Sequence, residues 1–116
     1  MAKIDDFQWG MVTVGAKTYK DVLLGPDLVQ EWDWQVNNTR HAGINVKDFD
    51  FVSNNVEFVV ISRGVQNKLQ CSEEIIAMLK DKGKTVYHLQ TTEAILKYND
   101  LVEREEKVAA LIHSTC

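Results

Sequence analysis

The densest apolar run in the chain covers residues 56–64, Val-Glu-Phe-Val-Val-Ile-Ser-Arg-Gly, and stops at a polar turn containing glycine. A short, almost unbroken run rich in Val and Ile predicts a strand covered on both faces, the usual state of a parallel sheet. Two further apolar runs, residues 85–89 and 108–112, end in Gln90-Thr91-Thr92 and His113-Ser114-Thr115-Cys116. If the three strands are parallel, their polar ends meet along one sheet edge. That edge is where open α/β sheets bind ligands.

The rest of the pattern supplies the partners of these strands. Residues 7–14 and 18–24 read as antiparallel strands around Gly15-Ala16-Lys17, a turn of hairpin length. Gly25-Pro26-Asp27 breaks the second of them. Residues 28–35 read as a strand in which a period of two puts Trp32 and Trp34 on one face and Asp33 on the other. Residues 37–45 have no period and form the longest loop. Beyond it, Val46, Phe49, Val52 and Val56 recur at helical spacing behind Asn45 as N-cap, predicting a short helix. Ser72 caps the next helix, with Glu73 and Glu74 in its first turn, Ile75, Ile76 and Leu79 inward, and Gly83 just past its end. That makes a strand–helix–strand crossover, expected to be right-handed. Thr91 or Thr92 caps the last helix, whose apolar stripe is Ile95, Tyr98, Leu101 and Val102. The expected fold class is α/β, a single domain over residues 1–116. It has three layers, a mixed central sheet with crossover helices and an N-terminal β-hairpin.

Composition narrows the function classes. A chain of 116 residues buries about two-thirds of its unfolded surface around one core. With 17 acidic against 13 basic side chains and no basic cluster, it has no electrostatic attraction for phosphate backbones, so no nucleic-acid partner is expected. No apolar run approaches the ~20 residues of a membrane span, and the first residues lack a secretory apolar core. A cytoplasmic protein without a membrane partner is expected. Cys71 and Cys116 make no disulfide framework, and no His/Cys spacing suits a metal or a cofactor, so none is expected.

The candidate ligand crevice is the polar edge: Ser62, Arg63, Gly64, Gln90, Thr91, His113 and Cys116. Arg63 could hold a carboxylate or phosphate, or pair with an acid of the chain or its terminal carboxylate. Gly64 belongs to no dinucleotide or P-loop fingerprint. His113 and Cys116 suggest a base and a nucleophile. A terminal carboxylate beside the thiol would raise its pKa, however, and anchoring of the tail is the better reading. Cys71, just before a helix cap, reads as a packed thiol, and His88 as a satisfied sheet histidine. The second candidate surface is Trp32 and Trp34 with the loop residues Arg40 and His41. Paired tryptophans have the composition of interface anchors, although large aromatics more often cover a core.

Several short stretches occur together in order: Phe7-x-Trp9-Gly10, Tyr19-Lys20-Asp21, Trp32-Asp33-Trp34, Ser62-Arg63-Gly64, Leu89-Gln90-Thr91 with Tyr98-Asn99, and the closing His113-Ser114-Thr115-Cys116. The set resembles a small α/β family of unknown biochemical function. Its members include the adipogenesis-associated domain protein and, more distantly, the mitochondrial complex I assembly factor 3. The resemblance implies a three-layer fold with a mixed sheet and brings no catalytic activity. It also implies a glycine where Ser62 stands, so a side chain here bears against close approach of a ligand to that backbone. The chain shows no Arg- and Ser-rich leader that would carry over a mitochondrial import role. The function expected is a non-catalytic interaction or assembly module with a protein partner. The alternative is a small enzyme or a binder of a small anionic molecule that uses Arg63, His113 and Cys116.

Overall fold

The computed structural model describes residues 2–34 and 43–116. The chain opens with three short antiparallel strands, β1 (Asp6–Gln8), β2 (Met11–Val14) and β3 (Lys17–Tyr19), which form a sheet of their own. A single long strand over residues 7–14 is therefore corrected. Gly10 takes φ +79°, a conformation that glycine reaches without a Cβ penalty, and turns the chain in mid-run. The second predicted strand also divides, because the chain changes sheets at Lys20. β4 (Asp21–Gly25) and β5 (Leu28–Glu31) belong to the larger sheet.

That larger sheet adds β6 (Phe58–Ser62), β7 (Thr85–Leu89) and β8 (Val108–His113), in the order β5-β4-β8-β6-β7. β6 pairs parallel with both β7 and β8, while β4 runs antiparallel to β8 and β5. The three apolar runs are thus parallel neighbours, with β6 in the middle. Alternation sends Val22, Leu24, Val60, Ala110 and Ile112 to one face. There they pack on helix α2 (Thr91–Glu103) and on Val12 and Val14 of the small sheet. Leu23, Val59, Ile61, Ala109 and Leu111 face the other way, onto helix α1 (Glu73–Asp81), Trp32 and Phe49. The result is an α/β fold of three layers around a mixed central sheet, with the β-hairpin strands at the N-terminal end. Among the described residues no helix is long and apolar enough to cross a membrane.

Helix α1 starts where its sequence says it should: the Ser72 hydroxyl accepts the Ile75 N–H at 3.3 Å. Other local expectations fail for identifiable reasons. Residues 46–56 form no α-helix but a single 3-10 turn, Val46–Phe49, closed by a capping box between Asn45 and Asp48. Asp50, Ser53, Asn54 and Asn55 follow it, and such residues hydrogen-bond locally in turns at the expense of a helix. The cap of α2 is Gln90, whose Oε1 accepts from the N–H groups of Thr92 at 2.8 Å and Glu93 at 3.4 Å. The Thr91 hydroxyl is engaged elsewhere.

Candidate functional site

Strand ends, loop and tail meet at the edge where β6 and β8 finish. Ser62 is fully buried, and its Oγ accepts the His113 N–H at 2.7 Å. The serine thus bridges two strand ends and offers nothing to a ligand, which corrects its place among the crevice residues. Thr91 is likewise buried and donates its hydroxyl to the His113 carbonyl at 2.8 Å, binding the start of α2 to the end of β8. Gln90 Nε2 donates to the Val65 carbonyl at 3.0 Å.

Beyond the strands, the loop 63–68 grips residues 114–116. Val65 donates its N–H to the Thr115 carbonyl at 2.7 Å, and Lys68 donates to the Cys116 carbonyl at 2.9 Å. Gly64 sits at φ +88° against this tail, where a Cβ would overlap the Cys116 carbonyl. From the other side, Gly10 donates its N–H to the Ser114 carbonyl at 3.0 Å. The small sheet and the large one are thereby stitched together through the tail.

At the centre is a residue that belonged to neither candidate surface. Asp21, the first residue of β4, is 1% exposed. Its Oδ1 accepts from the Ser114 N–H at 2.8 Å, from His113 Nδ1 at 3.1 Å and from the Ser114 hydroxyl at 3.4 Å, and its Oδ2 accepts from Trp34 Nε1 at 3.1 Å. A buried carboxylate is tolerable only when donors replace its water, and here they do. Since the carboxylate accepts, His113 presents Nδ1–H to it, and in the neutral imidazole Nε2 is then the acceptor, 3.2 Å from Thr115 Oγ1. The available signal was an acid opening an otherwise wholly apolar strand, Asp21 before Val22-Leu23-Leu24.

Of the residues around Asp21, His113 and Trp34 also line an open pocket of about 380 Å³, together with Trp9, Lys20, Lys68, Leu69, Thr115 and Cys116. Of the crevice candidates, His113 and Cys116 reach it. Trp9, Lys20, Lys68 and Thr115 do so as well and went unnamed as site residues. Arg63 does not line it. The Arg63 backbone connects the strands, taking the Leu89 carbonyl at 2.7 Å, while its Nε is buried without a hydrogen-bond partner among the described residues. His88 Nε2 is orphaned in the same way, so the expected satisfied histidine is corrected. Burial, and then the Arg63 charge, hold the His88 pKa below the ordinary histidine value.

The tryptophans divide. Trp32 is 3% exposed and donates Nε1 to Asp48 Oδ1 at 3.1 Å, so its place on an interaction surface is corrected. Trp34 is half-buried and lines the pocket, and Trp9 is 55% exposed at its mouth. Arg40 and His41 lie outside the described residues. Cys71 is packed in the core, where burial and the nearby Asp48 charge push its thiol up to about 11.

Residues 4–113 match the family model described as "Protein of unknown function (DUF498/DUF598)". The chain belongs to this family. Solved structures share this chain's fold. A conserved hypothetical protein from Pyrococcus horikoshii is 21% identical, with a TM-score of 0.81 over 98% of this chain and 99% of that one. A Xanthomonas campestris protein is 17% identical, with a TM-score of 0.76 over 98% of this chain and 85% of its own. A Bordetella pertussis protein described as a Mth938-like domain is 15% identical, with a TM-score of 0.69 over 97% of this chain and 85% of that one. These neighbours share a shape and bring no activity with it. Function has to be argued from the pocket itself.

Proposed function

We propose that this member of the family binds a small anionic molecule in the pocket between Lys20 and Lys68. The observation that carries the reading is the pocket's lining. Among the described residues it holds two lysines and a histidine but no acidic side chain, in a protein whose formal charge is −4. Cationic walls concentrate anions, and the indole faces of Trp9 and Trp34 with Leu69 provide apolar surface for the rest of the molecule. A planar carboxylate fits both features.

The test is a titration of the intact protein with benzoate, followed through the fluorescence of Trp9 and Trp34, with uncharged benzamide as the control. Benzoate is expected to give a saturable change that weakens with salt, and Lys20→Ala or Lys68→Ala to weaken it about tenfold, or 1.4 kcal/mol. Equal affinity for benzamide, or unchanged benzoate affinity in both variants, would overturn the reading.

The exposed Trp9 beside half-buried Trp34 favours a second reading, a non-catalytic interaction or assembly module in which a protein partner covers the mouth of the pocket. That reading needs the tryptophans and not the lysines. Partner binding lost in Trp9→Ala and retained in Lys20→Ala and Lys68→Ala would select it.

A further inference from the structure

The Asp21–His113 pair does not end at the imidazole. His113 Nε2 is 3.2 Å from Thr115 Oγ1, and Thr115 lines the pocket. Carboxylate, imidazole and hydroxyl therefore stand in series, with the hydroxyl at the accessible end. A hydroxyl within hydrogen-bond reach of a base that a third group orients is the signature of an activated nucleophile. Every link upstream is fixed. Ser114 N–H, Ser114 Oγ and Trp34 Nε1 hold Asp21, Asp21 holds Nδ1, and Ser62 Oγ takes the His113 N–H at 2.7 Å.

Anchoring the tail does not account for the Thr115 hydroxyl. Residues 114–116 are already held by backbone groups: Val65 N–H on the Thr115 carbonyl, Lys68 N–H on the Cys116 carbonyl, Gly10 N–H on the Ser114 carbonyl, and Ser114 N–H on Asp21. The hydroxyl adds one bond, and that bond goes to the one nitrogen with a lone pair to accept a proton.

We propose that Thr115 is a nucleophile activated by His113, and that the pocket carries out acyl transfer from a small anionic ester or thioester. The substrate's charge rests on the anion-binding reading; the nucleophile does not. In the first step Thr115 Oγ forms a bond to the acyl carbon while its proton passes to His113 Nε2. The bond to the leaving alcohol or thiol then breaks, and that group departs with the proton from His113. In the second, water attacks the acyl-Thr115 ester, gives one proton to His113, and the Thr115 oxygen leaves and recovers it. The reaction consumes one water and needs no other co-reactant. Lys20 and Lys68, on the walls of the same pocket, supply positive charge for the oxyanion that develops. Asp21 acts through His113 as a positioning residue.

The test uses an uncharged alkyl fluorophosphonate on the folded full chain, read by mass spectrometry. Oγ–P bond formation expels fluoride and leaves the hydroxyl proton on His113, so labelling reports the nucleophile without an anion site. An adduct on Thr115 is expected, formed about 100-fold faster than on the denatured chain, as general-base activation supplies. Thr115→Val should abolish it, Thr115→Ser should retain it, and His113→Gln should slow it to the denatured rate. Asp21→Asn should lower the maximal labelling rate without changing the concentration of probe that half-saturates. An adduct on Cys116 or a lysine instead, no adduct at all, or equal labelling in His113→Gln would overturn the inference. Benzoate binding without labelling rejects the nucleophile and leaves the anion site standing; labelling without benzoate binding does the reverse.

Discussion

At the scale of single residues, buried polar groups sort into those with partners and those without. Asp21 collects four donor contacts and organises the tail around itself. His88 has no partner at Nε2 among the described residues, and both its burial and the neighbouring Arg63 charge disfavour its protonated form. The linkage follows from the sign of that shift. The unfolded chain takes up a proton near pH 6.5, while folded His88 still resists one, so stability falls as pH drops through that value toward the folded pKa. His88→Phe keeps a strand-compatible ring and removes the titration. The variant is expected to lose less melting temperature than the wild type between pH 7.5 and pH 5.5 in paired thermal melts, about that much acidification being enough to cross the ordinary histidine value. Parallel curves would mean that His88 does not titrate differently on folding.

At the scale of elements, the loop after β6 does as much as the strand. Gly64 and Gly83 both have positive φ, +88° and +83°, but only Gly64 has backbone where a Cβ would go. Gly83 ends α1 in open space, so Gly83→Ala is expected to cost about 1–2 kcal/mol for the left-handed conformation alone. Gly64→Ala pays the same conformational cost and in addition drives the loop off the Cys116 carbonyl, adding about 1–3 kcal/mol as overpacking does. Urea unfolding of the two variants side by side should show the larger loss at Gly64, together with loss of benzoate binding. Equal losses would mean that the tail yields easily and does not shape the pocket.

At the scale of the whole molecule, the tryptophans occupy three environments: Trp32 in the core, Trp34 between core and pocket, Trp9 largely in solvent. Trp32→Ala is expected to cost about 3–5 kcal/mol, since it empties a large space and leaves the buried Asp48 short of a donor. Trp9→Ala should stay within about 0.5 kcal/mol of the wild type and act on binding alone. Denaturant melts with a ligand titration on each variant separate the two roles. A Trp9→Ala loss comparable with that of Trp32→Ala would show that the small sheet depends on Trp9 for its docking.

Much of the frame was legible because it rests on local periodicity. The apolar runs that became β6, β7 and β8, the Ser72 cap and the Ile95–Tyr98–Leu101 stripe follow from alternation, capping and helical spacing, which neighbouring residues impose on one another. The polar run His113-Ser114-Thr115-Cys116 was also legible from sequence alone, and three of its residues line the pocket. What tertiary structure decided was which side chains meet there. Asp21 and His113 are 92 positions apart and become hydrogen-bonded because β4 pairs antiparallel with β8 in a register that sets them opposite each other. Arg63 was drawn to the site by its place just past a strand end, but it does not line the pocket, and its charge instead acts on His88 of the neighbouring strand. Trp9 and Lys20 reach the pocket only because the small sheet folds back and Gly10 bonds the tail. Periodicity tells which way a residue points within its own element; strand order, register and the return of a distant hairpin decide what it points at.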